Sequence, residues 1–368
     1  SMALAICLCI GILFSPYAQG LFHSTSYPFE KNINIFLFFG SFFVFMSAYI
    51  FFKHAKDGIH WLYWFVWLIP LSYLFSSISP FSHHTAKYFV FLYLIYASLF
   101  FIGSFLHKNK THSHFLALSI LISGYLIVLF GLLHWFGLSF YRDAVLQGRM
   151  ASVFQYPNTF AIFSFAISLL SIYWVSYRKS WKSYLISFML VPSILSFLLA
   201  LSRGALLTVP LIILVVIILL PLTRQILFLF YLGTGFAIAL AIFSPILSIG
   251  QSAPEAVLFS QSAHGWFLLL SGSLTMLGIS FLIQRYVEPF ISTKLKKFDQ
   301  NIFFCLIIPL FLVLSLLSGF MLLTRFAMHL SFLPDSLLER MSSIRLSDTS
   351  IFERFSYIRD AVDMFNDK

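Results

Sequence analysis

The amino-acid sequence predicts an all-α protein of the polytopic membrane class, and two observations support that prediction. Of the 368 residues, 60% are hydrophobic and 10% are charged, with a mean hydropathy of +0.92. Soluble domains average about a quarter charged residues. The apolar residues are also gathered in runs of about 20, the length that a helix needs to cross roughly 30 Å of hydrocarbon. Such a chain satisfies its backbone polar groups within each helix.

Eleven apolar runs have this length, so we expect residues 2–323 to form a transmembrane helix bundle of about eleven spans. In chain order they cover Ala3–Leu21, Ile33–Phe52, Trp61–Ser79, Tyr88–Leu106, Phe115–Phe136, Thr159–Tyr177, Tyr184–Leu201, Ala205–Leu222, Ile226–Ser248, Gly265–Ile283 and Ile302–Leu323. The stretch from Tyr184 to Leu222 counts as two spans, because as one helix it would reach nearly 60 Å. We expect the chain to turn at Ser202-Arg203-Gly204, with Gly204 supplying the permissive backbone.

The distribution of basic residues predicts an orientation in the membrane. Short cytoplasmic connections hold the excess of Lys and Arg in membrane proteins. Every second connection contains such residues here, twelve in all: Lys53, Lys56, Lys108, Lys110, Arg178, Lys179, Lys182, Arg224, Arg285, Lys294, Lys296 and Lys297. We therefore expect a bacterial cytoplasmic-membrane protein with a cytoplasmic amino terminus and an extracytoplasmic carboxyl terminus. The net charge of +10 follows from this arrangement, and no nucleic-acid partner is expected.

The first apolar run allows two interpretations. Leu4–Phe14 followed by Ala18-Gln19-Gly20 has the pattern of a signal peptide with a small-residue cleavage site. However, basic residues do not precede the run, and it can continue as far as Leu21. We therefore expect a retained helix.

The composition changes after Leu323, and residues 324–368 are expected to begin an extracytoplasmic loop. Charged residues become as frequent there as in soluble proteins. Ser350-x-x-Glu353 is a capping box, the pattern that starts many helices. Apolar residues follow at helical spacing, at Ile351, Phe355, Ile358, Val362 and Phe365. We expect an amphipathic helix in this segment.

The familiar patterns of soluble enzymes and metal sites are absent from the sequence. Cys7, Cys9 and Cys305 lie within apolar runs, without the spacing of a metal site or of a disulfide framework. There is no Gly-rich phosphate loop, no H-E-x-x-H and no G-x-S-x-G. We therefore expect neither a metal nor a cofactor. Histidines near the predicted outer side, such as His264, are left without a role.

Two arginines at predicted helix ends are the main candidate site residues. Arg149 precedes the run that opens with Pro157-Asn158, and Arg203 lies in the short turn between two spans. Arginine binds phosphate oxygens in pairs through its planar fork and keeps its charge. Loop arginines also snorkel to lipid headgroups, which is a fair explanation for Arg354 and Arg359. Arg203 has no solubilising loop to serve, and this favours a functional role for it.

Three short motifs follow one another along the chain. They are Arg149-x-x-x-Val153-Phe154-x-x-Pro157-Asn158, then Ser202-Arg203-Gly204-Ala205, then Glu353-Arg354-Phe355-x-x-Ile358-Arg359-x-Ala361. In order and spacing, this succession resembles the O-antigen ligase and polymerase superfamily of bacterial membrane proteins. The resemblance covers most of the chain, and its specificity lies in the succession of the motifs on one side of the membrane.

The resemblance implies a GT-C-like glycosyltransferase that moves a glycan from an undecaprenyl-diphosphate carrier to a glycan or lipid acceptor, without metal or nucleotide. Arg149 and Arg203 would hold the diphosphate as catalytic residues. The residues implied in substrate binding are Asn158, Ser202, Arg354 and Arg359. The family also has a large outer loop with a histidine base and a last helix. Both would lie beyond Lys368, so we expect this chain to lack the general base and to be inactive alone.

Two other function classes remain open from the sequence. A transporter or flippase for a lipid-linked or anionic solute would also be polytopic, but such proteins often contain internal repeats and mid-membrane charges. Neither is evident in this sequence. A non-catalytic membrane scaffold is the third possibility. Arginines that converge on one cavity would favour the enzyme, whereas a continuous polar path through the bundle would favour transport.

Overall fold

The computed structural model describes residues 2–17, 28–54, 61–80, 82–250, 257–326 and 349–366. It is mostly helical, and six helices in these ranges are long and apolar enough to cross a membrane. They are His83–His107, Lys110–Trp135, Pro157–Tyr177, Trp181–Leu199, Leu222–Gly250 and Phe259–Phe298. The predicted all-α polytopic class is thereby confirmed. Shorter apolar helices lie within the other five predicted runs, so the total of eleven spans stays a prediction.

The chain divides into two compact units, the first comprising residues 1–127 and 153–155. The helices of this first unit are α1 (Met2–Phe14), α2 (Pro28–His54), α3 (Leu68–Ser76), α4 (His83–His107) and the first part of α5 (Lys110–Trp135). Its core includes Ala5, Leu8, Ile50, Phe101, Ile102 and Leu106. In the same unit, the Ser47 hydroxyl donates to the Ser98 hydroxyl at 3.1 Å, so α2 and α4 also share a buried polar contact. The proposed cleavage site at residues 18–20 lies outside the described residues.

The second unit comprises residues 128–152 and 156–368. After the end of α5 it contains strands β1 (Val145–Leu146) and β2 (Arg149–Met150), then helices α6 (Pro157–Tyr177), α7 (Trp181–Phe188), α8 (Leu190–Leu199), α9 (Arg203–Ile218), α10 (Leu222–Gly250), α11 (Phe259–Leu282), α12 (Glu288–Leu295), α13 (Ile302–Phe326) and α14 (Thr349–Asn366). A π-helical turn, Ile283–Val287, connects α11 to α12. Helix α14 covers the segment in which the sequence predicts an amphipathic helix, and it begins at Thr349, one residue before Ser350.

Helix α8 lies at the centre of the second unit, and all ten of its residues are buried. Small residues on neighbouring helices allow this close packing: a Cβ atom on Gly235 would lie 2.7 Å from Ile194. Membrane helices often use small residues in this way. The predicted span Tyr184–Leu201 is divided at Met189, three residues before Pro192. Proline explains the break because it lacks the N–H group that would bond to the carbonyl of Phe188.

The turn between α8 and α9 is found near its predicted position, but the prediction for Gly204 is wrong. Gly204 is helical and belongs to the first turn of α9. The residue with left-handed backbone is Leu201, with φ of 46°. Such a conformation costs on the order of 1–3 kcal/mol for a residue other than glycine. Leu201 is 5% exposed, so the burial of its side chain offsets part of this cost.

The second unit has a charged cluster where α6 ends and α10 begins. The buried Glu288 carboxylate pairs with Arg224 at 3.2 Å and with Lys179 at 3.4 Å. The Arg224 guanidinium also donates to the Ser176 carbonyl and lies 4.8 Å from the centre of the Tyr177 ring. We call Lys179, Arg224 and Glu288 the Glu288 network. It joins the end of α6, the start of α10 and the start of α12.

The side chains of Asp299 and Gln225 form further hydrogen bonds at the same end of the second unit. The Asp299 carboxylate accepts from the Thr223 amide at 2.8 Å and from its hydroxyl at 2.6 Å. The Gln225 amide donates to three backbone carbonyls at 2.9–3.0 Å, those of Ile217, Leu220 and Cys305. Buried polar groups are stable when they are paired in this way. The α9–α10 connection is therefore held from both sides.

Candidate functional site

A β-hairpin presents Arg149. Strands β1 and β2 pair antiparallel with Leu146 opposite Arg149. The two residues between the strands, Gln147 and Gly148, have φ of 52° and 68°, as a type I′ turn requires. Adjacent strand residues point to opposite faces, and Met150 is fully buried. Because Met150 anchors β2 in the core, Arg149 is directed away from it.

The Arg149 guanidinium is held by two acceptors from different parts of the chain. Its Nε donates to the Ala200 carbonyl at 3.0 Å, and its Nη2 donates to Oδ1 of Asn158 at 2.8 Å. Ala200 is buried, and Arg149 and Asn158 are half-buried. Both of these acceptors are uncharged, so they orient the guanidinium without cancelling its charge.

Asn158 is the centre of this cluster. Its Oδ1 also accepts from the Ser202 hydroxyl at 2.8 Å, and its Nδ2 donates to the Tyr156 hydroxyl at 3.0 Å. The two donors to Oδ1 determine the orientation of the amide. In the flipped orientation the amide NH₂ group, itself a donor, would point at both of them. We call Arg149, Tyr156, Asn158, Ser202 and the Ala200 carbonyl the hairpin site.

Two helices begin at the hairpin site. Helix α6 starts at Pro157, where the missing N–H is harmless. Helix α9 starts at Arg203, and Ser202 caps it by accepting from the Ala205 amide at 3.2 Å. Helix amino termini carry the positive end of the helix dipole and favour bound anions. A guanidinium beside two such ends creates a local positive potential.

Comparison of the chain with family models, with curated proteins and with solved structures gives no match. Any function must therefore be argued from the site itself.

The structure brings together three of the predicted site residues, Arg149, Asn158 and Ser202, and it puts Arg203 directly after Ser202. Arg203 is half-buried. A Cβ atom on the neighbouring Gly204 would have no atom within 4 Å, so the space beside this first turn of α9 is open. The first and second motifs thus meet around Asn158.

The predicted substrate-binding residues of α14 are not joined to this cluster by any contact that the structure describes. Arg359 pairs with Asp363 at 4.0 Å, and its side chain is 84% exposed. Arg354 belongs to α14, but its side chain lies outside the description. A role in substrate binding stays a prediction for both arginines.

Sequence reasoning missed two partners in the hairpin site. The Ala200 carbonyl became an acceptor through the turn at Leu201, which no motif indicates. Tyr156 is an unspecified position of the first motif, yet its hydroxyl accepts from Asn158. The available signal was Gln147-Gly148 directly after the apolar pair Val145-Leu146, a weak form of the hairpin pattern.

A polar groove of about 460 Å³ lies between the end of α10 and the start of α11, lined by Pro245, Ser248, Ile249, Ser260, Gln261 and His264. The end of α5 lies next to it, since Trp135 Nε1 donates to the Ile246 carbonyl at 2.9 Å. Gly131, one turn earlier on the same helix, packs against β2, because a Cβ atom on it would lie 3.3 Å from Met150. The groove and the hairpin site therefore both lie near the carboxyl-terminal end of α5.

Within the described ranges, no group of three His, Cys, Asp or Glu side chains could hold a metal ion. The chemistry available at the hairpin site is accordingly that of guanidinium, amide and hydroxyl groups with two helix dipoles. Groups of this kind bind an oxyanion and stabilise negative charge that develops on it.

Proposed function

We propose that this chain belongs to a membrane glycosyltransferase of the O-antigen ligase and polymerase type, and that the hairpin site binds the diphosphate of an undecaprenyl-diphosphate-linked glycan. The observation that carries the proposal is the orientation of Arg149 by Asn158 and Ala200 beside the starts of α6 and α9. A guanidinium that is already oriented loses little conformational entropy when it binds a phosphate.

The reaction would be a displacement at the anomeric carbon of the donor sugar. The oxygen of the acceptor hydroxyl forms a bond to that carbon as the bond to the diphosphate oxygen breaks. The electron pair leaves with the diphosphate, and the hydroxyl proton goes to a general base, which the family resemblance identifies as a histidine. Configuration at the anomeric carbon is inverted.

Arg149 and Arg203 would act on the leaving group. Negative charge grows on the diphosphate as its bond to the sugar breaks, and preorganised donors stabilise that charge most strongly where water is excluded. Removing one such donor lowers the rate by about 10²–10³-fold in well-studied cases. Asn158 and Ser202 would be positioning residues, because their hydrogen bonds hold Arg149 and cap the helix that begins with Arg203.

The proposal includes an orientation in which the hairpin site faces the outside of the cytoplasmic membrane. The supporting observation is that the Glu288 network lies at the opposite end of α6, among the basic connections expected to be cytoplasmic. A cysteine introduced at the exposed Gln147 should react with a membrane-impermeant maleimide in intact cells. A cysteine at the exposed Lys296 should react only after permeabilisation, with the three native cysteines replaced.

The decisive experiment uses the protein in proteoliposomes. Transfer from a polyprenyl-diphosphate-linked oligosaccharide is measured for the parent protein, Arg149→Lys and Arg203→Lys. Lysine keeps the charge but lacks the fork, so we expect transfer to fall at least tenfold while thermal stability is preserved. The matched control is Arg142→Lys, because Arg142 is exposed and pairs with its neighbour Asp143.

Three outcomes separate the function classes. Loss of transfer in both site variants but not in the control supports the glycosyltransferase. Full transfer by both site variants contradicts the proposed role of the arginines. If no form transfers but the lipid-linked glycan moves to the opposite leaflet, the protein is a flippase and the proposed reaction is wrong.

A further inference from the structure

The end of the second unit that contains the Glu288 network has a strongly basic surface. We define the basic surface as seven side chains: Arg178, Lys179, Lys182, Arg285, Lys294, Lys296 and Lys297. The two carboxylates described nearby are already engaged inside the protein. Glu288 pairs with Arg224 and Lys179, and Asp299 accepts from Thr223. The basic surface therefore keeps a positive potential toward its surroundings.

The length of the helical segment from Phe259 to Phe298 indicates where this surface lies. Its 40 residues would extend about 60 Å, twice the thickness of the hydrocarbon core. Glu288 contacts Lys179 in the α6–α7 connection and Arg224 at the start of α10. Helix α12 is thus held at the level of the connections, where the headgroups of a bilayer would be.

Exposed aromatic residues accompany the basic ones. Trp181 is 68% exposed and Tyr286 is 65% exposed. Trp and Tyr with this exposure are typical of the membrane interface, where their rings sit among headgroups. Basic side chains also lie over aromatic rings on the same segment, with Lys294 at 5.2 Å from Phe290 and Lys297 at 4.9 Å from Phe298.

Two of the basic side chains lie near the contact between α7 and α11. The rings of Tyr184 in α7 and Phe281 in α11 are 6.3 Å apart, so these two helices are in contact here. One turn further toward the basic surface come Trp181 on α7 and Arg285 in the π-helical turn. Lys182 follows Trp181. In the part of the chain that the structure describes, neither Lys182 nor Arg285 forms an ion pair or hydrogen bond.

We propose that the basic surface binds anionic phospholipid headgroups, with Lys182 and Arg285 among the cations that attract the headgroup phosphates. A lipid fits better than a soluble anion, because the cations border exposed apolar side chains such as Phe290, which is 62% exposed. The phosphate meets the cations while the acyl chains follow the apolar faces of α7 and α11. This binding is independent of the function proposed for the hairpin site.

The test titrates the purified protein in a neutral detergent with phosphatidylglycerol or with phosphatidylcholine of the same acyl chains. Native mass spectrometry gives the dissociation constant of the first bound lipid. We expect phosphatidylglycerol to bind at least fivefold more tightly, since each basic residue near an anionic headgroup contributes about that factor. The double variant Lys182→Gln/Arg285→Gln should lose at least tenfold in affinity for phosphatidylglycerol, with no change for phosphatidylcholine.

The matched control is Lys87→Gln/Arg142→Gln, which removes the same charge from exposed positions elsewhere. Its affinity for phosphatidylglycerol should stay within twofold of that of the parent protein. Raising the salt to about 0.5 M should weaken phosphatidylglycerol binding by the parent protein, because screening acts on exposed charges. The salt measurement uses only the parent protein, so it does not depend on whether a variant folds.

Three results would overturn the proposal. The first is equal affinity of the parent protein for both lipids. The second is an unchanged preference in the Lys182→Gln/Arg285→Gln variant or at high salt. The third is displacement of phosphatidylglycerol by an equal concentration of inorganic phosphate, which would reveal a site for free anions rather than for lipids.

Discussion

The two ends of helix α6 carry arginines with opposite surroundings. At one end Arg149 donates to an amide and to a backbone carbonyl, both uncharged. At the other end Arg224 pairs with the buried carboxylate of Glu288, which also pairs with Lys179. The same side chain is thus oriented by neutral acceptors in the hairpin site and neutralised by an acid in the Glu288 network.

The difference in acceptors predicts that the Glu288 network and the hairpin site contribute to different properties of the protein. Breaking a buried ion pair by removing one partner costs about 3–5 kcal/mol of stability, because a charge is left uncompensated. Neutral acceptors orient a guanidinium without themselves compensating its charge. We therefore expect changes in the Glu288 network to alter folding and changes in the hairpin site to alter binding.

The largest effect is expected from Asn158→Asp, which gives the hairpin site the chemistry of the Glu288 network. The new carboxylate can still accept from Arg149 and Ser202, so the fold should be preserved. It would neutralise Arg149 and repel the diphosphate, and we expect transfer to fall about 10²–10³-fold, the effect of losing one preorganised donor. Transfer in proteoliposomes and the thermal unfolding midpoint are measured together.

The control for that change is Asn109→Asp, at an asparagine beside the start of α5 whose side chain accepts from the Thr111 amide at 2.9 Å. It adds the same charge in the first unit and should leave transfer within twofold. Equal transfer by Asn158→Asp and the parent protein would contradict the claim that the charge of Arg149 acts on the diphosphate.

The second effect in size is the loss of stability in Glu288→Gln. The amide keeps the shape but not the charge, so Arg224 and Lys179 are left facing one another. We expect the free energy of unfolding to fall by about 3 kcal/mol, measured by titration with denaturing detergent. Asp363→Asn, which breaks the exposed pair with Arg359, should change it by less than about 0.5 kcal/mol. Similar values for both variants would contradict a structural role for the network.

A smaller effect is expected from Ser202→Ala, which removes the cap of α9 and a donor to Asn158. Loss of a helix cap costs about 1 kcal/mol. Ser202→Thr keeps the hydroxyl and should recover most of that loss. Failure of threonine to recover it would show that the hydroxyl is not the group that matters.

The smallest effect tests whether Gly204 belongs to helix α9 or to the turn before it. Gly204→Ala should raise the free energy of unfolding by about 0.5–1 kcal/mol, because Gly204 is helical and its Cβ position is open. If Gly204 were the turn residue, the same change would destabilise the protein. Thermal unfolding of the two forms distinguishes these cases.

The parts that the sequence predicts well depend on local patterns. Hydropathy locates α4 and α6 to within a few residues, since crossing a bilayer demands a continuous apolar run. The excess length between Tyr184 and Leu222 predicts a reversal near Ser202, and it is found there. The motif residues Arg149 and Asn158 also proved to be neighbours.

The parts that it misses depend on contacts between distant residues. Glu288 and Arg224 are separated by 64 positions, and neither lies in a motif. The hairpin escaped prediction because its strands have two residues each, too few to show an alternating pattern. Leu201 rather than Gly204 turned the chain because core packing outweighs local backbone preference there.

Helix α6 has a polar group to satisfy near each end, and this fixes its length. Asn158 meets Arg149 near its start, and the Ser176 carbonyl meets Arg224 near its end, about 27 Å away along the axis. Adding one residue between them would turn one end by about 100° relative to the other. An insertion of two full turns would restore the angle but lengthen the helix by about 10 Å. Natural relatives of this protein should therefore vary in the exposed side chains of α6 more readily than in the number of residues between its two polar ends.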